Sequence, residues 1–295
     1  MSKDTRAITV GIDGSRASLD AADWAAREAH RRHLALRLLH AGADPAGLAQ
    51  LPDGELSRTT LDRVAVQLAY AHPALDIIAR RTETPAIPAL LAAAAESEAL
   101  ALGSRGFSDF AGFLVGSVAL AVASRAARPA VLVRAGELPE EERVPVDEET
   151  PPAEAPYLPV VLGLDLADPA DGLIGYAFDT AAVRAAPLHV VHAWTPPPSR
   201  DHTVGARTRD DTAEQEDVGR RSLAVILQPW RHKFPETTVL EQVVHGFAGH
   251  HLLKASTRAG LLVIGRRDTA GPRLGRVAHF VIHHCACPVA VVPHD

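Results

Sequence analysis

The stretch Ala99-Leu100-Ala101-Leu102-Gly103-Ser104-Arg105-Gly106, with the pair Gly116-Ser117 that follows nine residues later, decides how this chain reads. The pattern G-x2-G-x9-G-S joins a strand-like apolar run (99–102) to a helix-like run (118–127). Glycine has no Cβ, so backbone N–H groups can close on an anion, and the following helix offers unpaired amides at the positive end of its dipole. The loop is therefore a candidate phosphate cradle and, with it, a candidate nucleotide site.

Outward from the loop, the first half of the chain alternates two periods. Strand-like runs at 8–13, 35–40, 75–80, 99–103 and 130–134 are separated by helix-like runs near 18–33, 55–71, 86–97 and 116–127. The helix at 18–33 puts Leu19, Ala22, Ala26 and Ala29 on one face, and the strands are continuous apolar runs of the kind buried on both sides. This alternation predicts an α/β fold with a five-stranded, doubly wound parallel sheet. Ligands of such sheets sit beyond the strand carboxyl ends at the switch point, where Asp13 and Gly103 both fall.

The design occurs twice. Ile8-Thr9-Val10-Gly11-Ile12-Asp13 matches Val160-Val161-Leu162-Gly163-Leu164-Asp165, and residues 36–41 (LRLLHA) match 188–193 (LHVVHA). Further on, Leu102-Gly103 matches Ile264-Gly265 and Pro129 matches Pro288. A tandem repeat is the simplest account, with domains at 1–135 and 159–295. The prolines at 196–198 mark the entry to a polar insertion, Ser199 to Asp217, expected to be mobile.

Between the copies lies an acidic, proline-rich segment at 136–158. It accounts for the net charge of −6, because 1–135 carries 15 Lys/Arg against 14 Asp/Glu and 160–295 carries 14 against 14. Composition predicts a solvated, fairly stiff linker. Neither half is basic enough to advertise nucleic-acid binding. No apolar run reaches membrane-spanning length, and the two cysteines, Cys285 and Cys287, with one residue between them, are expected to be poorly placed for an intrachain staple and suit a reduced, cytoplasmic compartment.

The glycine loop, the opening Val10-Gly11-Ile12-Asp13-Gly14-Ser15 and the closing Pro129-Ala130-Val131-Leu132-Val133 together resemble the universal stress protein family, in its ATP-binding branch and as tandem actinobacterial members carry it. The resemblance implies an adenine nucleotide alpha hydrolase-like fold and ATP as the ligand, with Mg or Mn as candidate metals. It implies that Asp13 and Gly14 meet the ribose or a metal, that the Ala41 backbone holds the adenine edge, and that Gly103, Arg105 and Gly106 approach ribose and phosphates. Gly116, Ser117 and Val118 then receive phosphate oxygens. For Asp13 read as a residue, an Asx turn or a helix cap is the alternative. The resemblance also implies pairing through the closing strands, 130–134 and 289–292, either between two copies of the chain or between the halves of one.

The second copy departs from the pattern. Asp268 stands where the first has Gly106, the return is Gly275-Arg276 after a shorter loop, and Leu166-Ala167 replace Gly14-Ser15. A carboxylate about 4 Å from a phosphate costs on the order of 4 kcal/mol per charge pair near a protein surface. Four arginines, Arg266, Arg267, Arg273 and Arg276, are the available compensation. The expectation is a nucleotide site in the first domain only.

His283-His284-Cys285-Ala286-Cys287 resembles a soft-metal cluster by composition, but its spacing is unlike paired zinc ligands. No G-x4-G-K-[ST] loop, G-x-S-x-G elbow or H-E-x-x-H pair is present, which favours an ATP-responsive regulator over an enzyme. The competing reading is a slow ATP hydrolase or autokinase.

Overall fold

The computed structural model describes residues 6–42, 53–104, 107–108, 112–113, 115–145, 155–195, 209–268 and 273–294. The apolar runs of the first half become β1 (Ala7–Gly11), β2 (Ala35–Ala41), β3 (Ile77–Thr82), β4 (Ala99–Ser104), a small hairpin of β5 (Phe107–Ser108) and β6 (Gly112–Phe113), and β7 (Ala130–Arg134). Helices α1 (Arg16–Arg31), α2 (Asp53–Ala71), α3 (Ala86–Ala95) and α4 (Ser117–Ala123) alternate with them. The second half repeats the scheme with β8 (Val160–Gly163), α5 (Asp171–Val183), β9 (Leu188–Trp194), α6 (Arg209–Lys233), β10 (Val239–His245), α7 (Ala248–Ser256), β11 (Leu261–Arg267), α8 (Arg276–His284) and β12 (Val289–His294).

All strands but the hairpin join one ten-stranded sheet, ordered β10-β9-β8-β11-β12-β7-β4-β1-β2-β3. Each half is parallel and doubly wound, with its chain reversal between the first and fourth strands of the repeat: β1 beside β4, β8 beside β11. The halves meet where β12 pairs antiparallel with β7, Val289 opposite Leu132 and Val291 opposite Ala130. This is the closing-strand pairing expected from the sequence, made within one chain.

Alternating strand residues feed two cores. Ile8, Val10, Leu36 and Leu38 pack with Trp24, Phe178, Leu223 and Leu227 under α1, α2, α5 and α6, while Leu100, Leu102, Leu132 and Val291 face α3, α4, α7 and α8. In the predicted stripe of α1, Ala22, Ala26 and Ala29 are fully buried, and Leu19 is half-buried against the same core. Two expectations need correction. Residues 209–217 of the insertion are the first turns of α6 rather than loop, residues 199–208 lying outside the described part.

The linker is the second. Its residues 139–142 form a 3-10 turn, Leu158 N–H donates to the Glu142 carbonyl (2.8 Å), and the Glu137 and Glu142 side chains are buried. The cause is a cluster of arginines on α1 that composition does not display. Glu142 accepts from Arg27 (3.1 Å) and Arg31 (3.0 Å), so part of this segment is folded against the first domain rather than solvated.

Candidate functional site

The carboxyl ends of β1 and β4 face the start of α1 and α4 across the switch point. Ser15 caps α1, its hydroxyl accepting from Ser18 N–H at 3.2 Å. Asp13 is held by the same residue: its Oδ1 accepts from the Ser15 N–H (2.9 Å) and hydroxyl (2.6 Å), the Asx-turn geometry weighed as its alternative role. Burial works against its charge, but donors from Ser15 and Ser18 outweigh that and lower its pKa, so Asp13 is a carboxylate at neutral pH. Gly14 takes φ +81°, a left-handed turn suited to glycine.

Above these elements lies a cavity of about 250 Å³. It brings Asp13, Ala41, Gly103, Gly116, Ser117 and Val118 together; Gly14 is not on its wall, and Arg105 and Gly106 lie outside the described residues. Ile12, Leu39, Ala86, Leu90, Leu102 and Ala119 make an apolar lining, and Ser15, Ser18 and Ser117 give it a polar rim. Sequence reasoning missed this lining, because each of those residues also reads as ordinary core.

The two key glycines differ in purpose. A Cβ on Gly103 would collide with the backbone of Ala17 and lie 2.7 Å from the Ser18 nitrogen, so glycine there lets β4 press against the first turn of α1. A Cβ on Gly116 would meet open space. Gly116 precedes α4, accepting from Leu120 N–H at 3.0 Å.

A histidine in each copy supports the neighbouring strand ends. His40 Nδ1 lies 2.7 Å from the Ile12 carbonyl and His192 Nδ1 lies 3.0 Å from that of Leu164. A carbonyl can only accept, so both rings donate from Nδ1. The matched LRLLHA and LHVVHA runs therefore share a brace as well as a pattern.

At the corresponding corner of the second half, half-exposed ion pairs engage the carboxylates. Arg267 pairs with Asp168 (2.7 Å) and Asp165 (3.5 Å), the latter being the counterpart of Asp13. Arg266, buried, donates to Asp268 (2.8 Å) and across the seam to the Ala126 carbonyl (2.6 Å). Of the four arginines weighed as compensation for Asp268, Arg266 pairs with it directly, whereas Arg267 is engaged with Asp168 and Asp165. Among the described residues no group of three or more His, Cys, Asp or Glu is arranged to hold a metal ion.

A model of the universal stress protein family matches residues 5–134 and 156–293. The chain belongs to that family. Its similarity to universal stress proteins of Mycobacterium tuberculosis strain H37Rv spans nearly the whole length: one relative is 29% identical over 320 residues (98% of this chain, 96% of the relative), another 28% over 299 residues (96% of each). Among solved structures, a universal stress protein from Archaeoglobus fulgidus superposes with a TM-score of 0.68 at 17% identity, covering 100% of both chains. A universal stress protein from Pseudomonas aeruginosa gives 0.63 at 16%, covering 99% of this chain and 94% of the other. These likenesses show the fold, two universal stress protein domains in tandem. No helix among the described residues is long and apolar enough to cross a membrane.

Proposed function

We propose that the protein is a cytoplasmic stress-response regulator that binds one ATP, in its first domain. The observation that carries this reading is the cavity of about 250 Å³ at the β1/β4 switch point, which Asp13, Ala41, Gly103, Gly116 and Ser117 line together with apolar side chains. The floor suits a flat heteroaromatic base and the serine rim suits hydroxyls and phosphate oxygens. No Lys or Arg is among the described residues of the wall, so backbone amides and a nucleotide-borne cation would neutralise the phosphates. Mg or Mn fits that arrangement only as a partner of the nucleotide, with Asp13 as the one carboxylate among the described residues of the wall. The Arg267 pairs at Asp165 and Asp168 support a second domain without ATP.

Denaturing extraction of freshly purified protein, with the released nucleotide counted, tests the reading. One adenine nucleotide per chain is expected, with affinity weakened by chelation of divalent ions. A count near two would overturn the single-site assignment, and failure to bind added ATP would overturn the nucleotide reading. Intact ATP in the extract favours a regulator over a hydrolase.

A further inference from the structure

The only two cysteines of the chain lie together, outside the cavity described above. Cys285 ends α8 and Cys287 precedes β12, with a bend between them that leaves Ala286 exposed and turns both thiols inward. Their sulfurs are 3.5 Å apart, at S–H···S distance. The first repeat has Ala126 and Arg128 at the corresponding places, so the pair belongs to the second copy alone.

The surroundings divide the labour between the thiols. The hydrogen bond from Cys287 brings Cys285 down to about 7 against the opposing effect of burial, with help from Ser256 at the end of α7 and Arg134 at the end of β7. Cys287 is pushed the other way by that same hydrogen bond, by burial and by the nearby Glu137. The pair thus offers two adjacent thiols of unequal acidity, Cys285 the more readily ionised, the complement needed for attack and resolution.

We propose that Cys285 and Cys287 form a peroxide-oxidisable dithiol that closes to an intrachain disulfide. The Cys285 thiolate attacks one oxygen of a hydroperoxide, breaking the O–O bond and releasing hydroxide or alkoxide, and becomes a sulfenic acid. Cys287 then loses its proton and attacks the Cys285 sulfur, expelling water as the S–S bond forms. Two electrons pass from the pair to the peroxide, and a dithiol reductant reverses the change. Closure shortens the sulfur separation to about 2 Å at the turn that delivers β12 to β7, so this chemistry acts directly beside the seam between the halves.

The test uses full-length reduced protein treated with hydrogen peroxide. Expected are the loss of two hydrogens in the intact mass, the disappearance of both alkylatable thiols, a mapped link between residues 285 and 287, and full recovery with dithiothreitol. In Cys287→Ser the reaction stops at the sulfenic acid, which dimedone traps at least about tenfold faster than in Cys285→Ser, since the thiolate is the reactive form. Two alkylatable thiols remaining in wild type, a link formed only between chains, or equal trapping in the two variants would each overturn the proposal. The wild-type measurements decide it even where a serine variant folds poorly.

Discussion

At the scale of single residues, Gly103 and Gly116 are the pair that separates packing from ligand contact. Gly103→Ala forces a Cβ into the backbone of α1 and is expected to destabilise the protein by about 2–3 kcal/mol, measurable in urea titrations. Gly116→Val enters open space. It should leave stability within about 1 kcal/mol of wild type while reducing ATP binding, as calorimetry would show. Charged residues add a second contrast. Burial raises the Glu28 carboxyl, but Arg184, Arg31 and Arg32 outweigh it and hold its pKa far below normal, so its stabilising contribution is present above the unfolded value near 4.5 and is lost as pH falls. Glu137 is the reverse: burial first, then Glu141 and Glu142, push it up to about 8. Its penalty grows from pH 4.5 upward and is complete above its folded pKa. Glu137→Gln should match wild type near pH 4 and exceed it by on the order of 2 kcal/mol at pH 7, read from unfolding midpoints.

Element by element, α1 carries the most connections. Its first turn meets β4 and the cavity, its alanine stripe packs on the sheet, and its last turns hold an ionic cluster with both the linker and α5. Glu28 accepts from Arg184 at 2.7 Å and from Arg32 at 2.6 Å, while Arg32 also reaches Asp179 and Thr180. Removing the shared anion leaves Arg184 buried without its partner, so Glu28→Ala is expected to cost about 3–5 kcal/mol. A double replacement by apolar residues should recover most of that loss, as thermal denaturation of both variants would show. These elements were legible to very different degrees before the structure. The strands and α1 announced themselves because continuous apolar runs and the 3.6-residue spacing of Ala22, Ala26 and Ala29 are local signals. The ionic cluster was illegible because Glu28, Glu142 and Arg184 are scattered across three segments, and acidity read one segment at a time signifies only solvation. For the same reason the cavity glycines were visible while the apolar floor beneath them, formed by Leu39, Leu90 and Leu102, was not.

For the molecule as a whole, the decisive contact is β12 against β7. Because that seam is made within one chain, the midpoint of unfolding should not change over about a hundredfold range of protein concentration. A midpoint that drops on dilution would mean that the strands pair between chains instead. Covalent fusion has another result. In a dimer of identical subunits every substitution appears twice, so neither site can change without its twin. Here Ser104 in one half corresponds by position to Arg266 in the other, which reaches across the seam to Ala126. Fusion has released the halves from mirror equality, letting one keep a receptive hollow while the other hardens into a brace.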